Sequence, residues 1–332
     1  MAKKLKGVNP FAAEALLPTN APLAASDFEV VGPDIDKADA ITRPSISYWK
    51  DAMRRLMANK TAVVCMIVLV IIMVMAVVVP MVSPYTISEQ HLRHTNKGMM
   101  YQAEDGHLHI FGTDDLGRDQ FTRIWDGART SLFIAFAAVF VNLIVGLLYG
   151  SLSGYIGGRL DTIMMRFVEI VGGIPYLIIV ILLKMIIPDQ EGIISLVIAY
   201  ASVGWLGMAR LVRGQIMSLK EQEFVVAAKA LGAGTGRIIT RHLLPNLLSV
   251  VIVNITLAIP SAIFTEAFLS FIGMGVQIPY ASWGTLAQEG VRVFIFYPLS
   301  LFLPAFFISI TMLAFNLLGD GLRDAFDPRL RR

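Results

Sequence analysis

Hydrophobic positions along this chain fall in long blocks rather than in alternation, and the first block, Ala62–Val79, holds 18 residues without one polar side chain. A helix rises about 1.5 Å per residue and the hydrocarbon core of a bilayer is about 30 Å thick, so the block is just long enough to cross. The same criterion predicts six spanning helices, at 61–82, 131–155, 168–187, 193–213, 247–273 and 296–318. Six spans return both termini to one side. Lys50, Arg54, Arg55, Lys60, Arg159, Arg210, Arg213 and Arg237 all gather on the side shared with the amino terminus, which predicts cytoplasmic termini in a multi-pass protein of the cell membrane.

This pattern divides the chain into a mobile cytoplasmic tail over 1–45, an amphipathic elbow helix over 46–60 and a first span at 61–82. An extracytoplasmic loop over 83–130 follows, then a five-span core over 131–318 with a cytoplasmic loop at 214–246, and a cytoplasmic tail over 319–332. Pro10, Pro18, Pro22, Pro33 and Pro44 punctuate the first tail. In the elbow, Trp49, Met53, Leu56 and Met57 recur at helical spacing, while Lys50, Arg54 and Arg55 lie elsewhere on the wheel, toward anionic lipid headgroups. Phe121, Ile124, Trp125 and Ala128 keep the same spacing and predict a separate piece lying along the outer interface. Gly146, Gly150, Gly172, Gly173, Pro175, Pro260 and Pro304 permit close helix approach or kinks within the spans.

Composition sharpens this reading. With 55% hydrophobic and 16% charged residues in 332, the chain is expected to be an all-α, polytopic membrane protein surrounded by lipid. A net charge of +3 gives no footing for nucleic acid. The one cysteine, Cys65, lies in the first span, so no disulfide within the chain is available. No GxxxxGK[ST] phosphate loop occurs, and ATP must be bound elsewhere.

Between the fourth and fifth spans runs EFVVAAKALGAGTGRIITRHLLPN, Glu223–Asn246. On a helical wheel Phe224, Ala227, Ala228 and Leu231 share one face, flanked by Glu221 and Glu223, with Gln222 and Lys229 opposite. Gly232, Gly234 and Gly236 then stop the helix, and Ile238, Ile239, Leu243 and Leu244 are placed to anchor a second short one. Taken alone, these residues fit either a cytoplasmic elbow or a docking site for a partner.

The run Ala227, Ala228, Gly232, Leu244 and Pro245 resembles the cytoplasmic loop signature of permease subunits of bacterial ATP-binding-cassette importers. Val226 stands where that signature usually has glutamate and His242 where it has isoleucine. Glu223, Arg241, His242 and Pro245 are instead similar to the oligopeptide, dipeptide and nickel branch. So are the blocks Phe111–Leu132, Gly158–Arg166, Glu266–Gly290 and Asn316–Leu330.

The resemblance implies a type I importer permease fold of six transmembrane helices, and the second of two permease subunits taking up oligopeptides, with dipeptides or nickel as alternatives. It implies as partners a homologous permease, two ATPase subunits that hold ATP and magnesium, and an extracytoplasmic peptide-binding protein. It assigns Glu221, Glu223, Phe224, Ala227, Ala228, Leu231 and Gly232 to the contact with the ATPase. An ion-gradient-driven transporter is the alternative from another class, and it calls for coupled acids in the spans. Glu266 is the sharpest such acid, since a carboxylate at mid-bilayer costs about 2.5–3.5 kcal/mol unless it faces water or a partner. It is the one candidate for the transport path. His107 and His109 beside Glu104 and Asp105, and His91 and His94, are read as solvated loop residues rather than metal ligands, and neither a catalytic set nor a metal site is expected.

Overall fold

Helix α1, Tyr48–Ala58, ends at Asn59, whose side-chain oxygen accepts the Ala62 N–H at 3.2 Å and so starts α2, Lys60–Val82. The computed structural model describes residues 48–103, 106–187 and 189–327. The predicted tail over 1–45 lies outside these residues, as do Glu104 and Asp105 of the candidate histidine cluster. Leu56 turns inward against Ala325 near the end of the last helix, while Trp49, Met53 and Met57 stay exposed. The elbow thus splits its apolar residues between the bundle and its surroundings.

After a loop carrying one short antiparallel hairpin, β1 (Tyr101–Gln102) with β2 (Leu108–His109), comes α3, Gln120–Ile156. Asp119 caps it by accepting the Thr122 N–H at 2.7 Å. Phe121, Ile124, Trp125 and Ala128 do not form a separate interfacial piece. They are the first turns of this 37-residue helix, because no residue between Gln120 and Ile156 breaks the hydrogen-bond ladder.

The third apolar run is not one rod. Helices α4 (Gly158–Gly172) and α5 (Tyr176–Ile186) meet at 82° across Gly173, Ile174 and Pro175. Pro175 has no N–H for a helical bond and disfavours helical geometry in the residue before it. Helix α6 (Ile193–Leu219), α7 (Glu223–Ala230), α8 (Leu244–Phe271), α9 (Trp283–Val293) and α10 (Leu299–Phe326) complete the chain. Among the described residues, five helical stretches are long and apolar enough to cross a membrane, and six if the bent pair counts as one span.

Among the described residues, helices α3 and α6 make the most extensive helix–helix contact, along Gly146, Gly150 and Gly154. A Cβ on Gly146 would stand 2.6 Å from the Met208 Cβ, and one on Gly154 would stand 2.8 Å from the Arg213 carbonyl oxygen; Gly150 sits tighter still, on Ala209. Four-residue spacing keeps the glycines on one face, so the two backbones approach as side chains would forbid. The largest apolar core joins α2, α3, α8 and α10 through Cys65, Leu69, Trp125, Ile263 and Phe315. Cys65 is a packed core residue, 7% exposed.

Candidate functional site

Two ends of the bundle carry the polar chemistry. At one, α6 is fastened to its neighbours just before α7. Arg213 grips Asp161 of α4 with Nε and Nη2 at 2.5 and 2.6 Å, and Ser153 of α3 donates to the same carboxylate at 2.5 Å. Lys220 Nζ donates to the Gly154 carbonyl at 2.9 Å. A forked guanidinium on a carboxylate fixes direction as well as distance.

Helix α7 hangs from this clamp. Val225 is 3% and Ala228 9% exposed, and Val225 packs with Ile216, Ile238 and Leu243. Residues three apart share a helix face, so 225 and 228 both turn toward the bundle. Ala228, expected on the partner-facing side, therefore points inward. The outward face is carried by Phe224, Ala227 and Leu231, joined by Val226, which the helical wheel does not place with them. Leu231 is 89% exposed. Gly232 ends the helix at φ +81°, and the Ala233 N–H reaches back to the Ala228 carbonyl at 3.0 Å. Only glycine takes that backbone freely. Glu221 and Glu223 are exposed beside it. Beyond the glycines, Thr235–Arg237 and a π-helical turn over Ile238–Leu243 lead into α8, with Ile238 and Leu243 buried.

The opposite end, the hairpin end, is held by buried charge. Asp114 accepts from Arg118 Nε and Arg123 Nη1, both at 2.6 Å, while Glu289 of α9 accepts from Arg123 Nη1 at 2.7 Å and from Arg118 Nη2 at 3.1 Å. Two cations face two anions, so the cluster is neutral, and both arginine side chains are at most 4% exposed. His109 is fully buried, with Nδ1 2.8 Å from an Asp119 oxygen and its ring stacked on Tyr85. It serves to hold the hairpin against α3. Asp189, in the turn between α5 and α6, is pushed up by burial, but N–H groups of Ser195, Gly192 and Glu191 outweigh this and hold its carboxyl below the usual range. Among the described residues no group of three or more His, Cys, Asp and Glu side chains is placed to hold a metal ion.

Glu266 of α8 lies near this end, 3% exposed. It accepts from Ser131 of α3 at 2.7 Å and Ser270 at 2.8 Å, and Ser131 in turn accepts the Trp283 N–H at 3.1 Å. The carboxylate is thus the hub that joins α3 and α8 to the start of α9. In the bent pair α4 and α5, Glu169 pairs with exposed Arg166 at 2.7 Å, and Lys184 donates to the Gly275 carbonyl at 2.7 Å.

Known proteins resemble this chain over most of its length. Residues 146–332 match the family described as binding-protein-dependent transport system inner membrane component, and residues 47–102 match the N-terminal transmembrane domain of oligopeptide transport permease C. The chain is 48% identical to the oligopeptide transport system permease protein OppC of Bacillus subtilis over 305 residues, 92% of this chain and 97% of that protein. It is also 48% identical to the dipeptide transport system permease protein DppC of the same organism over 297 residues, covering 89% and 90%. Against the OppC of Escherichia coli strain K12 it is 45% identical over 286 residues, 86% and 92%. Among solved structures, a chain from inward-facing conformations of the MetNI methionine ABC transporter superposes with a TM-score of 0.51 at 20% identity, covering 62% of this chain and 96% of that one. This likeness extends to the fold.

Proposed function

Because the chain belongs to the family of binding-protein-dependent transport system inner membrane components, we propose that it is one of two permease subunits of an ATP-driven importer of oligopeptides. A homologous permease completes the path, two ATPase subunits hold ATP and magnesium, and an extracytoplasmic binding protein delivers the peptide. The hairpin end faces outward, and α7 and both termini face the cytoplasm of a bacterial cell. Dipeptides are the second reading, carried by the equal 48% identity to a dipeptide permease.

One observation carries the coupling role: α7 shows Phe224, Ala227 and Leu231 to solvent while Val225 and Ala228 anchor it. A large apolar residue held out on a capped turn is the form of a knob that fits a pocket on another protein. Glu221 and Glu223 rim that knob, and Gly232 sets the angle at which it is offered. ATP binding draws the ATPase subunits together and moves α7. Val225 passes the movement to α6, and the Arg213–Asp161 and Lys220–Gly154 contacts carry it into α4 and α3. A nucleotide state shifts the path only by the difference in its grip on the two conformations, so the knob must stay engaged throughout. Glu266 belongs to the outer framework of the path, where it keeps α3, α8 and α9 in register.

Replacing Phe224 and Leu231 together with glutamate tests this. The chain should reach the membrane at its normal level, because both side chains are exposed, while co-purification of the ATPase subunits and peptide uptake fall at least tenfold. ATPase subunits that co-purify undiminished, with uptake intact, would overturn the assignment.

A further inference from the structure

We propose that the exposed side of α1 is a docking surface for anionic phospholipid headgroups, those of the inner leaflet in the orientation given above. Successive residues of a helix turn by about 100°, so Tyr48–Ala58 sorts into four sides about 80–100° apart. Ala52 and Leu56 form the first side and are buried, Leu56 against Ala325. Next round the helix come Trp49, Met53 and Met57, all exposed, and then Lys50 and Arg54, exposed as well. The last side holds Asp51 and Arg55, joined at 3.0 Å. Arg55, which the sequence pattern turns toward headgroups, is therefore tied to its own helix on the side opposite the methionines.

The height of the helix identifies what meets each side. Helix α1 passes through Asn59 directly into α2, whose unbroken apolar block starts at Ala62. Gly321 lies so close to Ala62 that a Cβ on the glycine would stand 2.6 Å from the alanine Cβ, and Ala325 lies on Leu56. These contacts set α1 level with the last turns of α10, at the edge of the hydrocarbon. A helix lying there beside a bundle has protein on one flank, acyl chains above, headgroups on the other flank and water below. The four sides match those surroundings in order. Ala52 and Leu56 meet the protein, and the Trp49, Met53 and Met57 stripe meets the acyl boundary. Lys50 and Arg54 then point sideways, away from the bundle and in the plane of the headgroups, while the Asp51–Arg55 pair is left to water.

The charge of that flank selects among lipids. Asp51 is the one acid of α1 and lies on the water side, and neither Lys50 nor Arg54 has an ion-pair partner among the described residues. Lys60, exposed at the first position of α2, adds a third cation at the same level. A zwitterionic headgroup carries its own ammonium and gains little from three cations, whereas a phosphodiester of net negative charge, such as phosphatidylglycerol, gains from each.

The test uses the complete complex with Cys65→Ala and no other reactive cysteine, in nanodiscs of phosphatidylcholine and phosphatidylglycerol in equal amounts. A fluorophore on Met53→Cys reports the neighbouring lipid, because bromine on the acyl chains of either lipid quenches it on contact. Quenching by brominated phosphatidylglycerol should exceed that by brominated phosphatidylcholine at least about threefold. The ratio should fall to near one when Lys50→Gln, Arg54→Gln and Lys60→Gln are combined. It should also fall at about 1 M salt, where the screening length is about 3 Å, an arm that needs no substitution and stays readable if the triple variant fails to assemble. The same fluorophore on Ala58→Cys, toward the water side, should be quenched far less by both lipids. Glycerol phosphate in solution should change neither signal, which separates a membrane from a soluble phosphate. Equal quenching by the two lipids overturns the proposal, as does a preference that survives loss of the three cations or one that glycerol phosphate abolishes. So does a Met53→Cys signal that neither lipid quenches, the result expected if another subunit covers α1.

Discussion

Removing Arg123 should loosen the hairpin end far more than its position at the start of a long helix suggests. Its guanidinium bonds to both Asp114 and Glu289, and its side chain is 3% exposed, so solvent replaces almost none of what is lost. Arg123→Met leaves two carboxylates facing Arg118 alone, an uncompensated negative charge with an expected cost of about 3–5 kcal/mol. Glu289→Gln leaves the opposite imbalance, but that side chain is 23% exposed and water shares the loss, so the expected cost is about 1–3 kcal/mol. Combining the two restores neutrality, with Arg118 still on Asp114, and should cost at least about 1 kcal/mol less than the sum of the singles. Hydrogen exchange of backbone amides in 114–123 and 283–293 reads the local opening directly. At about 1.4 kcal/mol per factor of ten, Arg123→Met should speed exchange there by about a hundredfold or more. Strict additivity in the double variant, or exchange in Arg123→Met within about threefold of the unaltered protein, would refute the neutral-cluster argument.

Gly150→Leu should separate α3 from α6 and lower the thermal midpoint of the purified complex sharply, whereas Gly207→Ala on the open face of α6 should leave it within a degree or two; equal effects would show that the glycine stripe does not set the helix spacing. Glu266→Gln keeps an acceptor for one of Ser131 and Ser270 and offers its NH2 group to the hydroxyl oxygen of the other, so it should change peptide uptake less than about threefold, while Glu266→Leu strands both hydroxyls and should reduce the amount of folded complex. A selective loss of uptake in Glu266→Gln at normal abundance would instead return the carboxylate to the path.

The apolar blocks made the spanning helices legible because lipid leaves a backbone few choices: a segment that long and that free of polar groups satisfies its own hydrogen bonds only as a helix. The break at Gly173–Pro175 was visible as a permitted kink, but its 82° size was not, since the angle depends on what each half packs against. Helix α9 escaped the reading, because Trp283–Val293 is too short and too mixed to announce a span and its Ser282–Thr285 capping box is a local signal inside a loop. The site was legible to about the level of one helix. Alternative faces of α7 are both apolar, so the wheel offered Ala228 to the partner when the buried Ile238 and Leu243, ten and more residues on, claim that side. The Arg123–Glu289 pair spans 166 positions and has no signature along the chain.

Helix α3 runs unbroken from the arginine cluster to the glycine that receives Lys220. From Arg123 to Gly154 is about 46 Å at helical rise, well beyond the thickness of the hydrocarbon core. A shaft of that length without a joint behaves as a pointer: each degree of tilt imposed at one tip displaces the other by about 0.8 Å, by geometry alone. The surface at the hairpin end and the surface around α7 are therefore two readings of one dial.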